Sequence, residues 1–174
     1  MNEDIGAARD VWKTHNRRVE TFRSPELGFL GVVDPDAVVF YRSTQRPHTV
    51  ATEFVVDGLA ALPEVVVTPD YTGSDGAMLE WLADRRPAGV VLATFAGGRI
   101  SPGARSGVDS LVAAGVPVAF ASRVPGGRIV GNVTGDSGAL VVRDLPPHKA
   151  RILLMLALAA TSDAAELQRI LDTY

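Results

Sequence analysis

The first group able to do chemistry is a lysine set among aromatic and branched apolar residues. Lys13 follows Val11 and Trp12, and Phe22 comes soon after. Such surroundings can desolvate a lysine, and desolvation lowers its pKa. A lysine poised in that way can accept a proton from a nucleophile. The plainer alternative is a surface lysine whose methylene stem covers Trp12. Only twelve residues precede Lys13, so its chemical partners are not expected upstream in this polypeptide.

Gly135-Asp136-Ser137-Gly138 has the look of a nucleophilic serine setting. A serine triad also needs a histidine and a carboxylate within reach. His15, His48 and His148 stand in three different contexts, none with a supporting pattern, so a flexible loop is the expected reading. Phe95-Ala96-Gly97-Gly98-Arg99 directly follows a strand-like run. Two glycines there let backbone approach a ligand, and Arg99 can grip a carboxylate. A tight turn with an exposed arginine is nevertheless the expected reading. Ser122-Arg123-Val124-Pro125 has the same two readings. The histidines lack metal-ligand spacing, and neither G-x-x-x-x-G-K-[ST] nor G-x-G-x-x-G occurs in a strand-to-helix turn. Neither a metal nor a nucleotide cofactor is therefore expected.

These groups need elements to position them. Val65-Val66-Val67, Gly89 to Ala93 and Pro117 to Ala121 read as short strands buried on both faces. Between them, Ser74-Asp75 can cap a helix running to about Arg86, and Val108, Leu111 and Val112 mark a second helix that stops at Gly115. Strands alternating with helices imply a parallel sheet. Ala139 to Val142 is a possible fourth strand. Pro146-Pro147 opens a helix that is apolar nearly all round from Ile152 and should be well buried. Asp163 to Glu166 resembles a capping box for a terminal helix. Earlier, Leu30 to Val33 and Val38 to Tyr41 flank Asp34-Pro35-Asp36-Ala37 as a hairpin. A lone hairpin is marginal in water and needs something to pack on. The chain is thus expected to divide into 1–42, a polar linker at 43–62, and an α/β domain at 63–174.

Composition narrows the classes. Hydrophobic residues make up 47 % of the chain, enough for a core. Seventeen basic against twenty acidic residues give a net charge of −3, which disfavours nucleic acid as a partner. No basic amphipathic helix points to a membrane surface, and the apolar run from Ile152 to Ala160 is too short to span one. Cysteine is absent, which excludes disulfides and thiol catalysis. With Met1-Asn2-Glu3-Asp4 at the start and no signal-like apolar run, the expected location is cytoplasmic.

Several blocks resemble one family. Ala8 to His15, Thr21 to Pro25 with Leu27-Gly28 and Leu30-Gly31, His48-Thr49, Ser122 to Val124, Lys149 to Leu158, and Thr161 to Asp163 near Tyr174 are similar, in order, to the bacterial L-asparaginases and glutaminase-asparaginases, particularly the type II kind. The resemblance implies a C-terminal portion: the tail of a large N-terminal α/β domain in 1–42, with its β-hairpin, and a complete flavodoxin-like small domain in 63–174. The family hydrolyses asparagine, and often glutamine, to the acid and ammonia through a threonine nucleophile and without a cofactor. Lys13 matches the lysine of its Thr-Lys-Asp triad. Arg99 falls where the family brings an asparagine from a neighbouring subunit, so a homo-oligomer or partner chain is implied.

The departures are as informative. The T-G-G-T and H-G-T-D-T segments that carry the threonines and aspartate are absent, as are the S-x-x-E-like elements that grip substrate. The loop after Val124 has no clear counterpart of the family's acidic residue. Met1 to Ile5 looks like the middle of a strand, so an internal start is expected. The chain alone is expected to be inactive. The alternatives are half of a split enzyme, or a non-catalytic α/β interaction module docking through the underside of the 30–41 hairpin.

Overall fold

A computed structural model describes residues 2–174. The chain divides into two compact units, Met1–Ala51 and Thr52–Tyr174.

The first unit is built from short antiparallel pairs. β1 (Asp4–Ile5), β2 (Trp12–Lys13), β3 (Phe22–Arg23), β4 (Gly31–Val33) and β5 (Val38–Phe40) form two small sheets, ordered β1-β4-β5 and β2-β3. The expected hairpin is β4–β5, with Val32 opposite Val39 and Val33 opposite Val38. Its turn closes through Asp34 N–H to Ala37 C=O at 2.8 Å. The third strand that a marginal hairpin requires comes from β1, where Asp4 pairs with Val32 and Ile5 with Gly31. A one-turn 3₁₀ helix, Thr49–Ala51, ends the unit.

The second unit is α/β. β6 (Val65–Pro69), α1 (Ala77–Arg85), β7 (Gly89–Thr94), α2 (Pro102–Ala113), β8 (Val118–Ser122), β9 (Leu140–Val141), α3 (Pro147–Ala160) and α4 (Ala164–Thr173) follow in order. The sheet β6-β7-β8-β9 is parallel throughout. The expected open parallel sheet flanked by helices is therefore present. β7 is buried along its whole length. Alternate residues serve opposite faces: Val90, Leu92, Val118 and Phe120 pack with residues of α1 and α2, whereas Val91, Ala119 and Ala121 pack with residues of α3 and α4.

Local details depart from expectation for physical reasons. α1 has Gly76, not Ser74 or Asp75, at its N-cap, with φ 83°. Asp75 Oδ1 still accepts from Ala77 N–H at 3.0 Å. A Cβ on Gly76 would lie 2.2 Å from the Gly103 carbonyl oxygen, so contact with α2 dictates the residue there. At α4, Asp163 Oδ1 accepts from Glu166 N–H at 2.9 Å, but the Glu166 carboxylate turns to Arg169 instead of completing the box. α3 is less covered than its composition suggests: Leu153, Leu154 and Ala157 are buried, while Ile152 is 48 % exposed. The stretch 43–62 is divided between the units, and its later part is tied down. Phe54 packs on the core and against Tyr174, with ring centres 4.9 Å apart, and Glu53 pairs with Arg169 at 2.5 Å.

Candidate active site

In the second unit, β6, β7 and β8 deliver the loops 70–76, 95–101 and 123–139 to the carboxyl edge of the sheet, the edge at which open parallel sheets hold ligands. Asp70 joins all three loops. It is 1 % exposed. Its N–H donates to the Ala93 carbonyl at 3.0 Å, which extends the β6–β7 ladder by one residue. Its carboxylate accepts from Tyr71 N–H at 2.9 Å, Ser101 N–H at 2.5 Å and the Ser101 hydroxyl at 2.9 Å. A carboxylate can stay in the interior only when such donors replace water. Ser101 Oγ also accepts from Ala104 N–H at 3.2 Å and so caps α2, whose amino end favours the negative charge.

Arg123 closes the other side. Its Nη1 donates to the Asp70 carbonyl at 3.1 Å, and its guanidinium lies 4.3 Å from the centre of the Phe95 ring, within cation–π range. Phe95 N–H donates to the Arg99 carbonyl at 2.9 Å. The turn 95–101 is thereby held at both ends. Its glycines have different tasks. A Cβ on Gly98 would lie 2.9 Å from Val133 Cγ2 and 3.0 Å from Ile129 Cγ2, so this glycine admits the chain's own 123–139 loop. Gly97, at φ 68°, faces open space. Arg99 is exposed, and its guanidinium makes no hydrogen bond or ion pair among the described residues.

Lys13 lies in the first unit, on β2 opposite Phe22. The loop between β2 and β3 is pinned by side chains. Thr14 N–H and Oγ1 each donate to the Thr21 carbonyl at 2.8 Å. The buried Thr21 hydroxyl accepts from His15 N–H at 2.8 Å and donates to the His15 carbonyl. His15 Nδ1 accepts from the N–H groups of Arg17 and Arg18 at 3.1 and 3.2 Å. This hairpin fixes the backbone of Lys13 without covering its side chain. Lys13 is exposed, so the desolvated lysine anticipated from its neighbours is not assembled by the described residues. A cleft of about 470 Å³ in the same unit is lined by Val11, Phe22, Ser24 and Phe29 among others, and Lys13 does not line it.

The serine nucleophile is not assembled either. Ser137 Oγ donates to the Thr134 carbonyl at 2.8 Å within a turn, and none of the three histidines bonds to it. Among the described residues no three His, Asp or Glu side chains gather as metal ligands, and no helix is long and apolar enough to cross a membrane. Of the groups singled out from sequence, Arg99 and Arg123 share one edge of the sheet. Lys13 belongs to the other unit.

An open parallel α/β domain with its polar loops tied together at the strand carboxyl ends defines the class. Sequence comparison makes it specific: residues 64–171 match the Glutaminase/Asparaginase C-terminal domain, and the chain belongs to that family. Over its full length the chain is similar to L-asparaginase 2 of Bacillus subtilis (strain 168), at 34 % identity covering 46 % of that protein. It is 32 % identical to the probable periplasmic L-asparaginase of Haemophilus influenzae, covering 51 % of it. It is also 32 % identical to the glutaminase-asparaginase of Pseudomonas fluorescens biotype A, covering 49 %. The chain thus spans about half the length of the curated relatives it matches.

Proposed function

We propose that this chain supplies the lysine-bearing half of an amidohydrolase that converts asparagine or glutamine to the corresponding acid and ammonia. The observation that carries the proposal is a match running through both units to proteins named as asparaginases and glutaminase-asparaginases. In this reading the threonine hydroxyl of the other half attacks the side-chain amide carbon. Lys13 takes up the hydroxyl proton and passes it to the amide nitrogen, which leaves as ammonia as the C–N bond breaks; water then cleaves the threonyl ester, releasing the acid and restoring the hydroxyl. Contact with that half supplies the cover that Lys13 lacks here. Arg99 reaches a neighbouring subunit's substrate in a homo-oligomer, from a turn held ready by Asp70 and Arg123.

The test is ammonia release from asparagine by the 174-residue chain, alone and together with the remaining part of the Bacillus relative. Alone it should release none. Together they should, and Lys13→Ala should lower the rate by about a hundredfold or more, the usual scale of a lost general base. Lys13-dependent turnover by the chain alone would sink the division of labour. Cell fractionation checks the cytoplasmic location, against which stands the periplasmic name of one relative.

A further inference from the structure

The apolar layer between the sheet and helices α1 and α2 contains a hydroxyl that no described residue satisfies. Thr68 stands opposite Leu92 in the β6–β7 register, two residues after Val66, which packs on the α1–α2 side. Side chains two apart on a strand share a face, so Thr68 points into that layer. It is 7 % exposed. Among the described residues its hydroxyl makes no hydrogen bond. The other buried threonines differ. Thr21 donates to the His15 carbonyl, Thr94 to the Phe95 carbonyl at 3.1 Å, and Thr134 to Asn132 Oδ1 at 3.3 Å. A hydroxyl withdrawn from water without a partner is costly, and such groups are rare in native folds.

Thr68 lines a cavity of about 180 Å³ at the carboxyl end of β6. Leu79, Leu92 and Ala104, all buried, supply apolar walls, and Tyr71 and Met78, both more than half exposed, form the solvent side of the lining. Asp70 is a further wall. It lies two residues after Thr68, where its N–H continues the β6–β7 ladder, and so belongs to the same face. Its Oδ1 accepts two hydrogen bonds, but its Oδ2 accepts only that from Ser101 N–H. A carboxylate has about four acceptor sites, so Oδ2 keeps one free.

These features select an occupant. The volume exceeds that of an apolar cavity of roughly 150 Å³ that holds benzene. The walls favour an apolar body. The Asp70 charge opposes an anion. A cation would give up its hydration for one carboxylate that already accepts three hydrogen bonds. The Thr68 hydroxyl calls for one neutral polar head. We propose that this cavity is a binding site for a small neutral alcohol or phenol, with an apolar body of about six carbons and a hydroxyl that pairs with Thr68. The site is independent of the reaction proposed above, and its test needs no turnover.

Phenol is titrated into the 174-residue chain and followed by backbone amide NMR shifts. Saturable shifts at Thr68, Asp70, Tyr71 and Leu79 are expected, with half-saturation at about 1 mM. Benzene, which lacks the head, should bind about tenfold more weakly, and benzoate should not bind. Thr68→Val removes the hydroxyl and nearly keeps the shape. It should weaken phenol binding about tenfold and leave benzene binding unchanged. Without ligand it should raise the thermal midpoint by about 2–4 °C, because no hydrogen bond is lost. Thr68→Ser retains the hydroxyl and should keep most of the affinity for phenol. Circular dichroism of each variant checks that the chain remains folded. Shifts that fail to saturate, or that scatter beyond the cavity lining, overturn the proposal. So does benzene or benzoate binding as tightly as phenol, or a Thr68→Val variant that binds phenol as the parent does, because the polar wall would then select nothing. A midpoint lowered by Thr68→Val also overturns it, because the hydroxyl would already be paired.

Discussion

Asp70 is the residue on which the candidate edge depends, although it touches no partner close in sequence except Tyr71. Its carboxylate satisfies the N–H and hydroxyl of Ser101, 31 positions later, and its carbonyl receives Arg123, 53 positions later. Asp70→Ala would leave buried donors unpaired. It should lower stability by about 3 kcal/mol in denaturant titration and speed tryptic cleavage after Arg99. Asp70→Asn keeps one acceptor and should cost about half as much. Residue-scale reasoning also yields a pH effect at His148. Partial desolvation, followed by the neighbouring Lys149 charge, lowers the imidazole's pKa below 6.5. In the window between its lowered folded pKa and the unfolded value, the unfolded chain binds more protons, so stability rises with pH there. His148→Gln should remove this contribution, which would appear as a shallower fall in thermal midpoint on acidification through that window.

At the scale of elements, the α1–α2 contact shows how little room the fold leaves. Gly103 and Gly107 are four apart on α2 and face α1. A Cβ on Gly107 would lie 2.5 Å from Leu79 Cβ, and one on Gly103 would lie 2.1 Å from the Ser74 carbonyl oxygen. Neither obstacle is the free end of a side chain, so the helices would have to move apart. Gly107→Ala should gain about 1 kcal/mol of helix propensity and lose more to overpacking. A net destabilisation of about 1–2 kcal/mol in chemical unfolding is expected. The strands and helices themselves are legible in sequence, because each is set by local patterning. Val65 to Val67, Gly89 to Ala93 and Pro117 to Ala121 carry continuous apolar runs, and the later helices begin at Pro147 and after Asp163 as the proline and cap signals indicate. Capping details are less legible. Gly76 replaces a polar cap because of Gly103, and Glu166 leaves the box for Arg169. Both outcomes depend on groups in another turn or another helix.

At the scale of the whole molecule, the two units differ in how they are held. The second has apolar clusters on both faces of its sheet, with Val90, Val91 and Leu92 at most 1 % exposed. The first relies on short strand pairs and side-chain pins such as Thr21 with His15. Hydrogen exchange should reflect this. Amides of β7 should exchange only by global unfolding of their unit, whereas those of β4 and β5 should exchange far faster. Equal protection in the two hairpin strands and β7 would show that the first unit is stabilised by something other than its apolar contacts.

By itself the sequence determined the class of the second unit, the order of its elements and the membership that its motif blocks announce, because periodicity, caps and short motifs are local properties of a chain. It also brought Lys13 and Arg99 to notice as chemically capable residues, Arg99 at the end of a strand. Tertiary structure alone decided what surrounds them. Lys13 is exposed despite apolar neighbours in sequence, Gly98 makes room for Ile129 and Val133, and Asp70, unremarkable in the sequence, becomes the buried link between three loops. Burial and hydrogen-bond partnership depend on which distant segments the fold brings together, and no window of neighbouring residues contains that information.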